Sequence, residues 1–182
     1  MTSYNTADLA QIKNIECFLL DMDGTIYLGD TVIDGTFDFL DILKKLNKKA
    51  MYITNNSSRA TIQYVEKLKR LGIHAKEEDF FTSVNALVYH LNKNHAGASL
   101  FLLGTPVLEE YLWENGFTII KEYYTEPDKR PDYVILAFDT TLTYEKLRIA
   151  CDYITDGVEY WATHPDVVCP VSKGRSVPDA GS

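Results

Sequence analysis

Two short apolar runs, each breaking into a polar cluster, constrain this chain most. Residues 16–20 (ECFLL) run into Asp21-Met22-Asp23-Gly24-Thr25, and residues 50–54 (AMYIT) run into Asn55-Asn56-Ser57-Ser58. Apolar runs of this length, bounded by turn formers, read as buried strands. Between them Phe37, Leu40, Leu43 and Leu46 recur three apart, with lysines at the C-terminal end where a helix dipole favours them. After the second run, Ile62, Val65, Leu68 and Leu71 mark another helix, and Gly72 stands where a C-terminal cap belongs. Asn55, Asn56, Ser57 and Ser58 are turn and N-cap residue types for that helix. The order strand, helix, strand, helix implies a parallel sheet with right-handed crossovers. Ligands of such sheets sit off the carboxyl ends of the strands, so both polar clusters are expected on one rim.

The second half repeats the α/β rhythm. Residues 84–93 read as a helix, 98–103 (ASLFLL) as a strand, and 107–115 as a short helix closed by Gly116. A strand at 117–121, a loop YYTEPDKRP, a strand at 132–138, a helix at 144–155 and a strand at 160–163 follow. The tail HPDVVCPVSKGRSVPDAGS, rich in Pro and Gly, reads as loops or a hairpin. This second set is long enough to own a core, with Trp113 and Trp161 inside it. The expected division is residues 1–82 and 83–182, and the expected class is α/β.

Charge narrows the partners. The chain of 182 residues has a formal net charge of -8. Such a chain is a poor partner for nucleic acid or an anionic membrane, and any phosphate site in it needs positive charge supplied locally. Cys17, Cys151 and Cys169 are odd in number and widely spaced. That argues against a zinc site and a disulfide framework, and suits a reducing cytosol. The N-terminus has no signal-peptide apolar stretch, and no run approaches the ~18 apolar residues of a membrane span. A cytoplasmic protein is expected.

Asp21 and Asp23, one residue apart just past a strand end, can converge on one cation or one substrate. Paired carboxylates of this kind suit Mg²⁺, which binds through one or two of them plus phosphate oxygens. An EF-hand is excluded, because Gly24 is fourth rather than sixth and Val32 holds the twelfth position. Read alone, DMDG is equally a polar turn after a strand.

The surrounding residues go further. LLDMDGTIYLGD, YITNNSSR, FTS, LTYEKL, WATHPD and PDAGS, in that order, resemble the haloacid dehalogenase-like phosphohydrolases, and more closely their NagD-like, 4-nitrophenyl phosphatase branch. The resemblance implies a Rossmann-like core, partly present in residues 1–82, with an inserted α/β cap from residue 83 onward. It implies Asp21 as covalent nucleophile and Asp23 as acid and then base. Thr54 and Asn55 would hold the phosphoryl group, with free backbone N–H groups around Met22, Gly24 and Thr25. Mg²⁺ would sit at Asp21 and Asp23, the latter through its backbone carbonyl. Tyr27, Leu28 and Gly29 would lie on the flap after the nucleophile. His164 and Asp166, on the loop reaching from cap to substrate, would recognise the ester, although a His-Pro pair after a strand is also a turn. Arg59 could meet an anion or simply start a helix. A closed cap favours small phosphorylated metabolites over macromolecules, and a cap face suits homodimer contact.

The resemblance has a break. In the family a lysine, usually within a GKP segment, and a GDxxxTD-type segment follow the cap, and neither occurs in these 182 residues. Lys173-Gly174 lies in the wrong context. A two-strand remnant of a parallel sheet is expected to expose edges and an uncovered apolar face. Two functions are therefore carried forward. One is a Mg²⁺-dependent phosphatase whose catalytic half is written here. The other is a truncated, non-catalytic module that binds a phosphorylated ligand or a protein partner through the cap.

Overall fold

In the computed structural model, residues 13–171 and 174–182 are described; most of the N-terminal segment read above, and Lys173, lie outside them. The chain forms two parallel sheets. The first has the order β1 (Cys17–Asp21), β4 (Lys49–Thr54), β5 (Phe80–Thr82). The second has the order β7 (Thr118–Ile120), β6 (Ser99–Leu103), β8 (Tyr133–Leu136), β9 (Glu159–Ala162). Helices α1 (Thr36–Lys45) and α2 (Thr61–Arg70) serve the first sheet; α3 (Ser83–Asn94), α4 (Pro106–Glu114) and α5 (Tyr144–Thr155) serve the second. The mixed α/β class expected from the sequence is what the chain adopts.

β1 and β4 pair in parallel with Asp21 opposite Ile53, so the two polar clusters do share one rim. The sequence reading missed β5. It is three residues long, FFT, squeezed between a 3₁₀ turn and a helix, and too short to show periodicity. The first sheet thus has three strands rather than two.

Alternation along these strands is unequal in its consequences. Leu20, Tyr52, Phe80 and Thr54 point to a face packed by Tyr64 and Leu68 of α2. Leu19 and Phe81, on the other face, are 64% and 47% exposed. β1 is therefore half-buried rather than wholly buried, and the expected bare apolar face is present.

The second sheet is covered on both sides. α3 and α4 press Val84, Leu91, Leu108 and Leu112 onto Leu100, Leu102 and Ile135. On the opposite face α5 presses Ile149, Ala150 and Tyr153 onto Phe101, Leu103 and Val134. Thr82, Thr105 and Thr143 cap these three helices through their side-chain oxygens. Trp161 packs against the first of these clusters as expected, but Trp113 is 69% exposed on α4. The tail is a hairpin of β10 (Val168–Val171) and β11 (Arg175–Pro178). Among the described residues no helix is long and apolar enough to cross a membrane.

Candidate active site

The site begins where β1 ends. The Met22 carbonyl accepts N–H groups from Thr25 at 3.2 Å, Ile26 at 2.9 Å and Tyr27 at 3.2 Å. Gly24, at φ 86°, donates to the Tyr27 carbonyl at 2.8 Å. Glycine is favoured there because positive φ costs it little. This winding turns Met22 fully inward and leaves Asp21 and Asp23 exposed. It also corrects one expectation: the Gly24 and Thr25 N–H groups are paired inside the turn rather than free for an anion. The Thr25 hydroxyl instead approaches Asp21 Oδ2 at 3.4 Å.

The flap is short. β2 (Tyr27–Leu28) and β3 (Thr31–Val32) form a hairpin turning at Gly29, whose φ is 60°. Leu28 stands out, 70% exposed, whereas Tyr27 is fully buried beneath it. The Tyr27 hydroxyl reaches Asp23 Oδ2 at 3.5 Å. From α2, Lys67 extends over the Tyr27 ring, 3.7 Å from its centroid, and places Nζ 3.8 Å from Asp23 Oδ1. Burial pushes the Lys67 ammonium below its ordinary pKa, against the pull of Asp23. Burial, with Asp23 adding to it, pushes the Tyr27 phenol up. Lys67 supplies part of the local positive charge that the acidic composition demands, and the sequence reading did not single it out. Its only sequence signal was a lysine one residue before the apolar Leu68 of α2, a position common to many exposed lysines.

The second polar cluster is more buried than its residue types suggest. Thr54 is 7% exposed; its oxygen accepts the Asn56 N–H at 3.2 Å, leaving the hydroxyl proton to be donated. The Tyr64 hydroxyl donates to the Asn56 carbonyl at 2.9 Å. Asn56 Oδ1 takes both the Ser58 N–H, at 3.0 Å, and the Ser58 hydroxyl, at 2.7 Å. Helix α2 starts only at Thr61, so Ser57 and Ser58 are not its caps. Ser57 is fully buried and ties this strap to the second sheet: its oxygen receives the Phe138 N–H at 2.8 Å and the Thr163 hydroxyl at 3.0 Å. Thr105 donates to the Ser58 carbonyl at 3.1 Å. The carboxyl rims of both sheets thus meet on residues 55–58.

The chain crosses between the sheets beside Asn55. The Ser83 hydroxyl donates to the Asn55 carbonyl at 2.7 Å, and the Asn55 amide is hydrogen-bonded to the Asp166 carboxylate. Asn55 is therefore committed to Asp166 in this arrangement rather than free for a phosphoryl group. His164 departs further from expectation. Its side chain is 4% exposed, with Nε2 3.3 Å from Asp179 Oδ1 and Nδ1 3.9 Å from Asp166 Oδ2. Neither nitrogen makes an aligned hydrogen bond among the described residues. At 4% exposure the His164 side chain is shut away from a ligand; Asp166, half-exposed, is the member of the pair that a ligand can reach. Burial raises the Cys169 thiol pKa, and the carboxylates of Asp179, Asp23 and Asp166 add to it. The tail hairpin is thus within electrostatic reach of Asp23.

Comparison with known proteins agrees with this geometry. A profile of haloacid dehalogenase-like hydrolases matches residues 18–118. An acid sugar phosphatase of Staphylococcus epidermidis is 34% identical over 163 residues, 90% of this chain and 61% of the relative. The chain thus spans about three-fifths of that relative's length. A 4-nitrophenylphosphatase of Thermotoga maritima superposes with a TM-score of 0.84 at 42% identity, over 93% of this chain and 62% of that one. A glycerol phosphate phosphatase of Mycobacterium tuberculosis, solved with magnesium, gives 0.79 at 26% identity, over 93% of this chain and 50% of that one. With the profile reaching across more than half of its length, from the strand that carries Asp21 into the second sheet, the chain belongs to the haloacid dehalogenase-like hydrolases.

Proposed function

We propose that this chain carries the nucleophile and the acid/base of a Mg²⁺-dependent phosphatase that hydrolyses small phosphate monoesters through an aspartyl-phosphate on Asp21. One observation carries the reading: Asp21 and Asp23 leave the carboxyl end of β1 beside Thr54 at the end of β4. The names of the relatives, an acid sugar phosphatase and a 4-nitrophenylphosphatase, support a phosphate monoester as substrate.

In the first step an Asp21 carboxylate oxygen attacks phosphorus and the ester P–O bond breaks. Asp23, protonated, gives its proton to the departing oxygen. In the second step the Asp23 carboxylate takes a proton from water. That water attacks phosphorus and releases inorganic phosphate and the Asp21 carboxylate. The Thr54 hydroxyl is positioned by Asn56 to donate to a phosphoryl oxygen. Asp166 is the group of the second crossing that can meet the ester's organic part.

The donor set fits Mg²⁺. Asp21 and Asp23 are exposed, and among the described residues no three His, Cys, Asp or Glu side chains close a cage. An ion that keeps several waters and shares the phosphate needs no such cage. Asp21 through its carboxylate and Asp23 through its backbone carbonyl would hold it. When bound, the ion offsets the charge of the phosphoryl oxygens.

The test is Mg²⁺-dependent phosphate release from 4-nitrophenyl phosphate, with Asp21→Asn in parallel. The reading requires release by the wild type and a loss of about 10³-fold or more in the variant. Equal release by both would remove Asp21 as nucleophile. Release by neither would favour the non-catalytic binding module.

A further inference from the structure

Lys67 is a nearly enclosed ammonium whose nearest carboxylate is Asp23, with Asp30 farther off. Its side chain is 12% exposed, and within 4.0 Å its only carboxylate among the described residues is Asp23. Among the described residues its Nζ makes no hydrogen bond, and it lies over the face of the Tyr27 ring, 3.7 Å from the centroid. Tyr27 in turn addresses the other oxygen of the same carboxylate. Asp23 is thus approached from both sides by groups that are themselves packed, while half of its side chain stays open to the rim. A salt bridge of exposed, flexible side chains would contribute little. Here the cation is confined by packing and cannot follow the carboxylate elsewhere.

We propose that Lys67 is a positioning residue for the acid/base: with Tyr27 it orients the Asp23 carboxyl toward the leaving oxygen. This inference rests on the reading of Asp23 as acid and base. It makes a distinction that a purely structural lysine would not. Proton donation matters most for a poor leaving group, such as an alkoxide, and least for 4-nitrophenolate.

The test uses Lys67→Met and Lys67→Arg with 4-nitrophenyl phosphate and glycerol phosphate as probes. Lys67→Met should lose about tenfold more kcat on the alkyl ester than on the aryl ester, with KM little changed. Lys67→Arg, which keeps the cation, should recover most of that difference. Equal losses on both esters, or an arginine variant no better than the methionine one, would overturn the proposal. Asp23→Ala is the separate control: undiminished alkyl-ester turnover in that variant would sink the acid/base reading itself.

A second arm needs no turnover. Asp23→Asn removes the only carboxylate within 4.0 Å of the enclosed ammonium among the described residues, so its melting temperature should fall by about 2–4 °C. Adding Lys67→Met to Asp23→Asn should restore most of that fall. Strictly additive shifts would mean that the two residues are not coupled and would overturn the proposal.

Discussion

The Ser57 hydroxyl oxygen accepts the Phe138 amide at 2.8 Å across 81 residues of sequence, and it does so with no solvent exposure. One side chain of the 55–58 strap thus satisfies the backbone just beyond β8. Ser57→Ala leaves a buried N–H without a partner, at a cost of about 1–3 kcal/mol. Urea unfolding should report that loss as a lower midpoint. An unchanged midpoint would show that the two rims are held by other contacts.

Alkaline stability should be set by the first core. Burial raises the phenol pKa values of Tyr27, Tyr52 and Tyr64. A phenol kept neutral in the fold contributes stability that is present below the unfolded pKa, about 10. That contribution is lost as the pH rises from there toward the folded values. Tyrosinate absorbance from these three should therefore appear only together with loss of far-ultraviolet circular dichroism in an alkaline titration. Their ionisation in a chain that stays folded would contradict this.

Gly181 marks a close backbone crossing. A Cβ there would lie 2.2 Å from the Pro165 carbonyl oxygen, and the Gly181 N–H donates to the Asp166 carbonyl at 2.8 Å. Gly181→Ala must push the tail away from the 164–166 loop and should cost about 2 kcal/mol or more. Thermal unfolding of the variant checks this, and a melting temperature equal to wild type would refute the crossing.

The two tryptophans should separate in fluorescence. Trp161 stacks near Tyr133, with ring centroids 4.4 Å apart, and lies edge-on to His90 at 5.1 Å. Trp113 is open. Acrylamide should quench Trp161→Phe strongly and Trp113→Phe weakly; the reverse order would mean that α4 is covered in solution.

Much of this was legible in the chain itself. α5 spans the residues 144–155 read as a helix from the sequence, and β1 and β4 lie where ECFLL and AMYIT lie. Local pattern records such elements because each side chain answers to its own face. It does not record what arrives from far away. Ser57 looked like a cap because nothing local says that Phe138 will meet it. His164 looked available because Asp179, which encloses it, is distant in sequence. Lys67 looked like any helix lysine until the flap folded Tyr27 beneath it. Leu19 looked buried because composition reports apolarity and not which face of a sheet receives a helix.

The chain enters and leaves the second sheet at neighbouring points, with Ser83 and Asp166 both held by Asn55. A segment whose two ends adjoin can be exchanged or shortened without rethreading what it is inserted into. The stretch between those residues is in that sense interchangeable. A change of length there need not disturb the register between the strand that bears Asp21 and the strand that bears Thr54.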